Sequence, residues 1–568
     1  MQIKEATAQA IADTGILDYE RALSLLAEPP QPELGDLALP CFTLAKDLRR
    51  SPQQIAEEIR ERLAPNPLYK EVTCQGPYLN FTFDPQTYVS HVLQRVAVEG
   101  ENYGDSAEGS GKPVIVEFSS ANIAKTFHVG HGYSTILGQV IANLYEKLGY
   151  EVHRFNHLGD YGTQFGKLIY AWHHYGDEAA LEARPIEEML RIYIKFHEEA
   201  EKDPSLEDCA RQEFKRLEAG DPDSVALWNR FRELSIVEFK RIYQRLNIDF
   251  DNWNGEAFYA EMTPEIVSEL KEQGLLVESE GALVVDLEDC GLNPCIIIKS
   301  DGTSIYATRD LAAIKWRHEH IHFDKNIYVV GKEQSNHFQQ LFAVLRKQGK
   351  DYADDCIHVA NGRIKFADGD FSTRKGQIIS LAEFLDRAVA KTKEIIENSP
   401  NRDEIEDIDQ TAEIIGVDAV IFTYIKNSRE RDFFFTWEEA LSFEGETAPY
   451  LLYTYARARS ILRKAGVSID PRHTDFSRLD SAEDVQIAKV LDGLPEKLRQ
   501  AAYAYEPSIL VRQVLNLARS FNSYYHQNPI LKAENIAVQE ARLALVQIVA
   551  DQLASFLGLL NLKTIEKM

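Results

Sequence analysis

The chain has 568 residues and a formal net charge of −27, from 62 lysines and arginines against 89 aspartates and glutamates. Its 44% hydrophobic and 27% charged residues are typical of a folded globular protein and exclude bulk disorder. The negative charge argues against unselective binding of nucleic acid, which needs many phosphate contacts, but it permits a local basic surface.

The start of the chain and the cysteines bear on location. The first ten residues, MQIKEATAQA, lack the apolar core of a secretory signal. No uninterrupted apolar run reaches the roughly 18–20 residues that span a bilayer. Six cysteines without a CxxC pair predict neither a disulfide framework nor a zinc ribbon. We therefore expect a cytoplasmic protein that does not enter a membrane.

The first hundred residues predict a small α+β unit. Residues 51–63 have the pattern of an amphipathic helix, with Ser51 as N-cap and Pro52 at the first helical position. Residues 76–83 alternate like a strand. The polar, glycine-containing stretch 103–113 is typical of a linker. We place the first domain boundary there, with an N-terminal domain at 1–108.

After this linker the chain alternates between strand and helix patterns. Residues 113–120 predict a buried strand, helical spacing runs from Ser134 to Gly149, and residues 150–155 predict a second strand. This order predicts a parallel pair joined by a right-handed crossover. The same alternation returns at residues 327–331, 338–349 and 356–360.

The remaining segments complete the predicted architecture. Residues 176–255 predict a charged helical insertion, and a β-hairpin of ALVVDL and CIIIKSDGTSIYAT follows with its turn at Asp301–Gly302. From about residue 410 the pattern is helical to the end. The fold class is thus α/β: a Rossmann-type parallel-sheet domain (109–440) with helical insertions, a small N-terminal α+β domain and a C-terminal all-helical bundle (441–568).

The strongest chemical signal is the segment SSANIAKTFHVGH at residues 119–131. It places His128 and His131 near the start of a helix, where free N–H groups and the helix dipole favour anions. Both imidazoles can donate hydrogen bonds to phosphate oxygens, and Gly130 lets a nucleotide approach the backbone. Taken alone, His-x-Gly-His could equally be a metal site or a surface pair. Its position after a buried strand favours a nucleotide.

VEFSSANIAKTFHVGH resembles the signature of the class I arginyl-tRNA synthetases, in which a HIGH motif follows an FSSPNIAKP-type segment. Five more blocks resemble that family in the family's order: GDLALPCFTLAKDLRRSPQQIAEEI (35–59), HLGDYGTQFGKLI (157–169), YATRDLAAIKWR (306–317), VVGKEQSNHF (329–338) and YLLYTYARARSILRKAG (450–466). The resemblance implies an enzyme that activates L-arginine with ATP, accompanied by Mg²⁺, and transfers it to the terminal adenosine of tRNA(Arg). In this family tRNA is usually required for adenylate formation. We expect a monomer.

The chain departs from the family's pattern within and after this signature. Ala121 and Thr126 stand where proline is usual, and Gly132 and Tyr133 replace the usual leucine and arginine.

A second departure lies in the segment DFSTRKG, residues 370–376. It resembles the degenerate MSTRKG form of the family's KMSKS loop, with phenylalanine for methionine and no leading lysine. Lys375 and Arg374 are therefore both candidates for the cation that meets the pyrophosphate. A glycine-bounded surface loop is the alternative.

The resemblance implies roles for individual residues. The catalytic candidates are His128, His131, Lys375 and Arg374. The ATP-binding candidates are Ser119, Lys125, Val129, Gly130 and Ser372. The arginine-binding candidates are Glu117, Asn122, His131, Tyr306, Asp310 and Gln334. The tRNA-binding candidates are Asn80, at the tRNA elbow, and Tyr450, Arg457 and Arg459, at the anticodon. No metal ligands are implied.

Physical chemistry supports part of this set independently. A guanidinium needs paired acceptors, which carboxylates at the ends of parallel strands can supply. Glu117 ends the first strand, and Tyr306 and Asp310 flank a strand-to-helix junction. Taken alone, Asp310 is better explained as a charge in the first turn of a helix. The resemblance favours a role in substrate binding instead, and we then expect the Asp310 carboxylate to have no partner within the protein. Aromatic and basic residues can likewise contact RNA, or simply form a solvated helix face.

Other interpretations were weighed. His318 to His322 match the HExxH zinc pattern, but the helix must end before the strand at Ile327 and no third ligand is suggested. Two other functions stay open. One is an inactive relative that binds tRNA or arginine as a regulator, and the other is a different nucleotidyl-transferring enzyme with a HIGH-type site.

Overall fold

The computed structural model of the chain describes residues 3–300, 302–366, 379–400, 402–533 and 535–568. The N-terminal unit contains an antiparallel sheet with strand order β1-β3-β2. Its helix α4 begins where the sequence predicts, because Ser51 and Gln54 form a reciprocal capping box in front of Pro52. The elements are α1 (Ile3–Ala12), α2 (Tyr19–Leu25), β1 (Leu37–Pro40), α3 (Ala45–Leu48), α4 (Pro52–Arg62), β2 (Tyr69–Gln75), β3 (Tyr78–Phe83) and α5 (Pro85–Glu99).

The middle of the chain contains the predicted parallel sheet, with strand order β10-β9-β4-β5. Val114, Ile115 and Val116 of β4 are fully buried, as expected of a central strand covered on both faces. The first elements are β4 (Pro113–Glu117), α6 (Val129–Lys147), β5 (Glu151–Phe155) and α7 (Thr163–Tyr175). The later ones are β9 (Lys325–Gly331), α15 (Ser335–Lys347), β10 (Cys356–Asn361) and β11 (Ile364–Phe366).

The segment between β5 and β9 is helical at first, as predicted, and then forms a small antiparallel sheet of order β6-β7-β8. Its elements are α8 (Glu178–Ala183), α9 (Pro185–Ala200), α10 (Leu206–Glu218), α11 (Pro222–Arg245), α12 (Glu256–Ala260), α13 (Thr263–Glu272), β6 (Leu276–Ser279), β7 (Ala282–Val285), β8 (Cys295–Ile298) and α14 (Tyr306–Ile321). β7 and β8 pair as the predicted strands, but residues 286–294 join them. The predicted turn at Gly302 follows β8, where the amide of Gly302 donates to the carbonyl of Lys299 at 2.9 Å and Ile298 forms an antiparallel bridge to Ser304. Gly302 lies beyond β8 with a φ of 81°, and Asp301 lies outside the described residues.

The last part of the chain is a helical bundle, with one exception to the prediction of helices from about residue 410. The short strand β12 pairs in parallel with β11, and the two form a separate two-stranded sheet. The elements are α16 (Leu381–Glu397), α17 (Ile408–Ile425), β12 (Phe433–Phe435), α18 (Trp437–Ala440), α19 (Ala448–Ala465), α20 (Ala482–Asp492), α21 (Leu494–Tyr503), α22 (Ser508–Gln527) and α23 (Ile536–Leu559).

Among the described residues, α23 is the one helix with the length and hydropathy of a membrane span. Within its most apolar window, 61% of the residues are buried inside the protein, in contact with α19 and α22. The core helix of a bundle has the same composition, since it is apolar all round.

Candidate active site

In the strand order β10-β9-β4-β5, the chain runs from β4 to β5 on one side of β4 and later to β9 and β10 on the other side. The strand order therefore reverses between β4 and β9, and a crevice is expected at the carboxyl ends of these two strands. In open α/β sheets this is where ligands bind. Glu117 ends β4, and the residues after Gly331 lead from β9 through Gln334 into α15. The loop from β4 to α6 begins directly after Glu117.

The loop after β4 has an unusual backbone. Ser119, Ser120 and Ala124 have positive φ values of 70°, 47° and 57°, a left-handed conformation that is unfavourable for residues other than glycine. Such a conformation persists only when surrounding contacts hold it. Here Ser235 in α11 accepts a hydrogen bond from the amide of Ala124, at 3.1 Å, and the Tyr243 hydroxyl lies 2.7 Å from the Ser119 hydroxyl.

Tyr243 is the centre of a buried polar network under this loop. Asn156, directly after β5, donates to its hydroxyl at 3.1 Å, and the Thr135 hydroxyl lies 2.9 Å from that of Ser119. Burial raises the pKa of Tyr243 to about 12, so the phenol remains protonated at working pH. Sequence reasoning treated residues 176–255 as a charged insertion only. Yet α11, which lies within it, supports the loop.

His128 and His131 form a stacked pair at the start of α6, with ring centroids 3.7 Å apart. His128 is the N-cap: its Nδ1 accepts from the amide of Gly130, and Nδ1 of His131 accepts from the amide of His128, at 3.1 and 3.2 Å. Since each Nδ1 is an acceptor, the proton of each neutral ring lies on Nε2.

The environment keeps both rings uncharged. Burial lowers the pKa of His128. Burial, together with the electrostatic effect of the neighbouring His128 ring and of Lys125, lowers the pKa of His131 to about 3. The pair therefore offers Nε2–H donors beside the amino end of a helix, which can hold phosphate oxygens without a formal charge.

The segment after the predicted KMSKS-like loop lies directly on the histidine motif. The amide of Val129 donates to the carbonyl of Ile379 at 3.1 Å, and the amide of Leu381 donates to the carbonyl of Phe127 at 2.8 Å. Residues 370–376, with the candidates Ser372, Arg374 and Lys375, lie outside the described residues.

The two departures after His131 have a packing explanation. A Cβ atom at Gly132 would lie 3.2 Å from both the Leu381 side chain and the Tyr424 hydroxyl, so a larger residue needs those neighbours to shift. Tyr133 packs against Tyr424, with ring centroids 5.3 Å apart, and donates to the carbonyl of Arg429 at 3.1 Å.

Asp310 lies in the first turns of α14, with 25% of its side chain exposed. Contrary to the sequence-based expectation, it has protein partners. His337 Nε2 lies 2.6 Å from its Oδ2, and His157 Nε2 lies 3.7 Å from its Oδ1. Burial acts to raise the pKa of Asp310, but the hydrogen bond from His337 and the surrounding cations lower it overall. Tyr306, half exposed, packs its ring edge-to-face on His337.

Glu117 is buried and forms an ion pair with Arg317, whose Nη2 lies 2.5 Å from its Oε2. Nothing in the sequence pattern indicated this pair. Burial strongly raises the pKa of Tyr328 in β9, and the negative charges of both Glu117 and Asp310 contribute to the rise. Glu117 is the direct neighbour of Tyr328 in the pairing of β4 with β9.

The other candidates lie around this crevice. Asn122 forms a bridge to Gly159, where a Cβ atom would lie 2.2 Å from the Asn122 amide oxygen. Gln334 is exposed at the start of α15, and Lys125 is half-buried in the loop. The structure therefore brings the described ATP and arginine candidates to one edge of the sheet. Sequence reasoning missed His157 and His337, although both lie in the blocks HLGDYG and QSNHF that it singled out.

The tRNA candidates lie away from this crevice. Asn80 is in the middle strand β3 and is only 3% exposed, which leaves it little surface for an RNA. In α19, Arg457 donates to Asn522 at 2.6 Å, and Asn522 in turn donates to the Tyr450 hydroxyl at 3.0 Å. Arg459 is paired with Glu566, 3.0 Å away.

Arg457 lines a cavity of about 620 Å³ between α19, the end of α22 and the carboxyl terminus. Its basic lining residues are Arg457, Arg463, Lys464, Lys532 and Lys567. This is a local positive surface on an otherwise acidic protein.

The HExxH segment does not have the geometry of a zinc site. α14 ends at Ile321, and His322 is its left-handed cap, with a φ of 54°. His318 instead stacks on Tyr352, with ring centroids 4.0 Å apart. Among the described residues there is no group of three or more His, Cys, Asp or Glu side chains that could hold a metal.

Three family models match successive parts of the chain. The N-terminal domain of arginyl tRNA synthetase matches residues 1–83, the catalytic domain of class I (R) tRNA synthetases matches 92–437, and the DALR anticodon binding domain matches 451–568.

Curated relatives and solved structures agree with these matches. The arginine–tRNA ligase of Clostridium perfringens is 46% identical over 568 residues, covering all of both chains. That of Halothermothrix orenii is 45% identical, covering 100% of this chain and 99% of the relative. The solved arginyl-tRNA synthetase of Thermus thermophilus superimposes with a TM-score of 0.82 at 26% identity, with complete coverage of both chains.

Proposed function

Because this chain belongs to the class I arginyl-tRNA synthetase family, we propose that it performs the family's reaction in the crevice at the ends of β4 and β9. It is an arginine–tRNA ligase: it activates L-arginine with ATP to arginyl-adenylate and pyrophosphate, then transfers the arginyl group to the terminal adenosine of tRNA(Arg). The observation that carries this function is the full-length identity of 46% to an arginine–tRNA ligase.

We assign the phosphate side of the crevice to the histidine pair. Activation is an in-line displacement at the α-phosphorus, in which the arginine carboxylate attacks and pyrophosphate leaves. Such a step is accelerated by positioning and by donors aimed at developing charge. His128 and His131 supply Nε2–H donors there, and Lys375 or Arg374 meets the leaving pyrophosphate. Ser119, Lys125, Val129, Gly130 and Ser372 hold the nucleotide.

The arginine side is assigned to the carboxylates. A guanidinium has five donors in a rigid plane and keeps its charge at any working pH, so it selects paired carboxylate acceptors. Asp310, beside the exposed ring of Tyr306, and Glu117, at the end of β4, are these acceptors. Asn122, His131 and Gln334 complete the amino-acid site.

Mg²⁺ would enter with ATP. The described residues contain no cluster of three possible metal ligands. We propose that this cation is held mainly by phosphate oxygens and water, the usual way in which proteins use Mg²⁺. The ion would neutralise phosphate charge, while the chain's own residues orient the nucleotide.

We propose that the N-terminal domain, residues 1–108, contacts the tRNA elbow and that residues 441–568 bind the anticodon loop through the basic cavity at Arg457. Tyr450 and Arg459, on the same helix α19, are further proposed tRNA contacts, and residues 109–440 carry the chemistry. The protein acts as a monomer in the cytoplasm, which light scattering and cell fractionation can test.

Aminoacylation of total tRNA with each labelled amino acid in turn tests the function. We expect charging with arginine only, dependent on ATP, and pyrophosphate exchange that is measured with and without tRNA. A regulator that merely binds arginine or tRNA would give neither reaction. A different nucleotidyl transferase would give exchange with another substrate.

A further inference from the structure

A guanidinium belonging to the protein itself lies buried beneath the arginine site. Arg317 is fully buried, and among the described residues Glu117 is the one carboxylate within 4 Å of its guanidinium. The remaining surface of the group faces aromatic rings. Its Cζ lies 4.8 Å from the ring centre of Phe155, 5.5 Å from that of Tyr328 and 6.0 Å from that of Tyr259.

The fold explains why this arginine reaches Glu117. Asp310 and Arg317 are seven residues apart on α14, so both lie on the face turned towards the sheet. Side chains on a helix lean towards its amino end, which directs Arg317 from the deeper turn back towards the end of β4. One helix thus carries a candidate acceptor for the substrate and a cation for the other acceptor.

We propose that Arg317 is the positioning residue of the arginine site, the resident counter-ion that keeps Glu117 ionised and correctly oriented before arginine arrives. The inference rests on the proposed arginine-binding role of Glu117. A carboxylate buried without a partner takes up a proton, and a neutral acid is a poor acceptor for a guanidinium. Pairing through Oε2 leaves Oε1 for the substrate; the Ser120 hydroxyl lies 3.5 Å from Oε1.

Of the described titratable groups packed around the pair, the phenols and the thiol are neutral at working pH, and burial moves them further from ionisation. Burial raises the pKa of the Tyr259 and Tyr328 phenols above their usual value, and it raises the pKa of the Cys356 thiol to about 12. The pKa of Asp310 is lowered. Any contribution of His157 and His337, which lie beside Asp310, to the pH dependence of the KM for arginine is the same in the wild type and in variants at Arg317.

The test is the pH profile of the KM for arginine in Arg317→Met. Methionine is chosen because its side chain is long and apolar enough to fill the space between the three aromatic rings. Buried glutamates without a counter-ion can stay protonated up to about pH 8–9. The apparent affinity for arginine falls with the fraction of enzyme molecules in which Glu117 is ionised. The KM for arginine at pH 7 should therefore rise by roughly 10-fold and return towards the wild-type value by pH 9. The KM for ATP and kcat at saturating arginine should stay within about twofold.

Two variants separate charge from shape. Arg317→Lys keeps a cation and should restore most of the low KM at pH 7. Lys315→Met removes another cation of α14. Lys315 pairs with Glu265, Glu269 and Glu319 and not with Glu117, so the KM for arginine of this variant should match that of the wild type at every pH. A KM that is unchanged in Arg317→Met, or raised equally at all pH values, would overturn the proposal.

The double variant covers the case in which Arg317→Met does not fold. Replacing both members of a buried pair by neutral residues is far less destabilising than removing one. In a Glu117→Gln background, Arg317→Met should not raise the KM for arginine further, because its effect runs through Glu117. An additive rise contradicts the inference. A normal KM in Glu117→Gln alone would instead refute the proposed role of Glu117.

Discussion

Asp310→Asn is the most direct test of substrate identity, because the histidine motif is common to class I chemistry and says nothing about the amino acid. The substitution removes the charge but keeps an oxygen acceptor for His337, whose Nε2 lies 2.6 Å from the Asp310 carboxylate. A hydrogen bond to a charged group contributes about 1.5–3 kcal/mol, which corresponds to a rise of about 10- to 150-fold in the KM for arginine. The KM for ATP should hardly change.

The histidine partners alter the expected stability. From sequence alone, a carboxylate without partners would make Asp310→Asn neutral or stabilising. With His337 and His157 beside it, we expect the substitution to lower the free energy of unfolding by about 1 kcal/mol. The pKa of Asp310 is lowered in the fold, so this contribution is present at neutral pH. It is lost only as the pH falls below about 4, where the unfolded aspartate takes up protons first.

Asp324→Asn is the matched control. Asp324 is 26% exposed, almost the same as Asp310, and it pairs with Lys112 at 2.8 Å, but it precedes β9 at the opposite edge of the sheet. Steady-state kinetics and urea unfolding of both variants are the measurements. If both lose similar stability and neither changes the KM for arginine, Asp310 is a structural residue and does not bind the substrate.

Three further predictions concern the phosphate side. His131→Ala removes the Nε2–H donor, so kcat should fall by about 10²-fold. The pKa of His131 is about 3, so its contribution to stability is lost as pH falls below about 6.5, and this variant should lose stability less steeply between pH 6.5 and 4 in urea titrations. Lys375→Ala should slow pyrophosphate exchange while leaving tRNA binding nearly intact; a larger effect of Arg374→Ala would identify that residue as the cation instead. Tyr243→Phe removes the hydroxyl beneath Ser119 and should lower the free energy of unfolding by about 1 kcal/mol and raise the KM for ATP, whereas unchanged kinetics would show that the network does not shape the loop.

The parts of the fold that could be predicted from sequence are those set by local pattern. An apolar run predicts the strand that ends at Glu117. The glycine-containing segment at His128 predicts the start of the helix that this histidine caps. The cap at Ser51 likewise depends on residues three positions apart. The histidine motif lies in one continuous segment, so its position at the crevice followed from the order of elements alone.

What could not be predicted depends on contacts between distant segments. Tyr243 reaches Ser119 only because α11 folds back beneath the loop, and its own sequence is that of an ordinary charged helix. The pairing of β12 with β11 is a three-residue contact without a periodic signal. No sequence pattern distinguishes His337 and Arg317, because the role of each side chain depends on the carboxylate that it contacts in the folded protein.

These missed partners have one physical cause. A site for a guanidinium needs carboxylates that remain ionised when the site is empty, yet a buried carboxylate without a partner is unstable as an anion. The two acceptors are compensated differently. Glu117 is paired with the fully buried Arg317, which has no path to solvent, while Asp310 meets His337 next to the half-exposed Tyr306. If Glu117 and Asp310 bind the guanidinium as proposed, an incoming arginine can displace or reorient a partner only at Asp310, and it meets Glu117 already fixed. Specificity for the planar guanidinium then comes from one rigid and one adjustable acceptor.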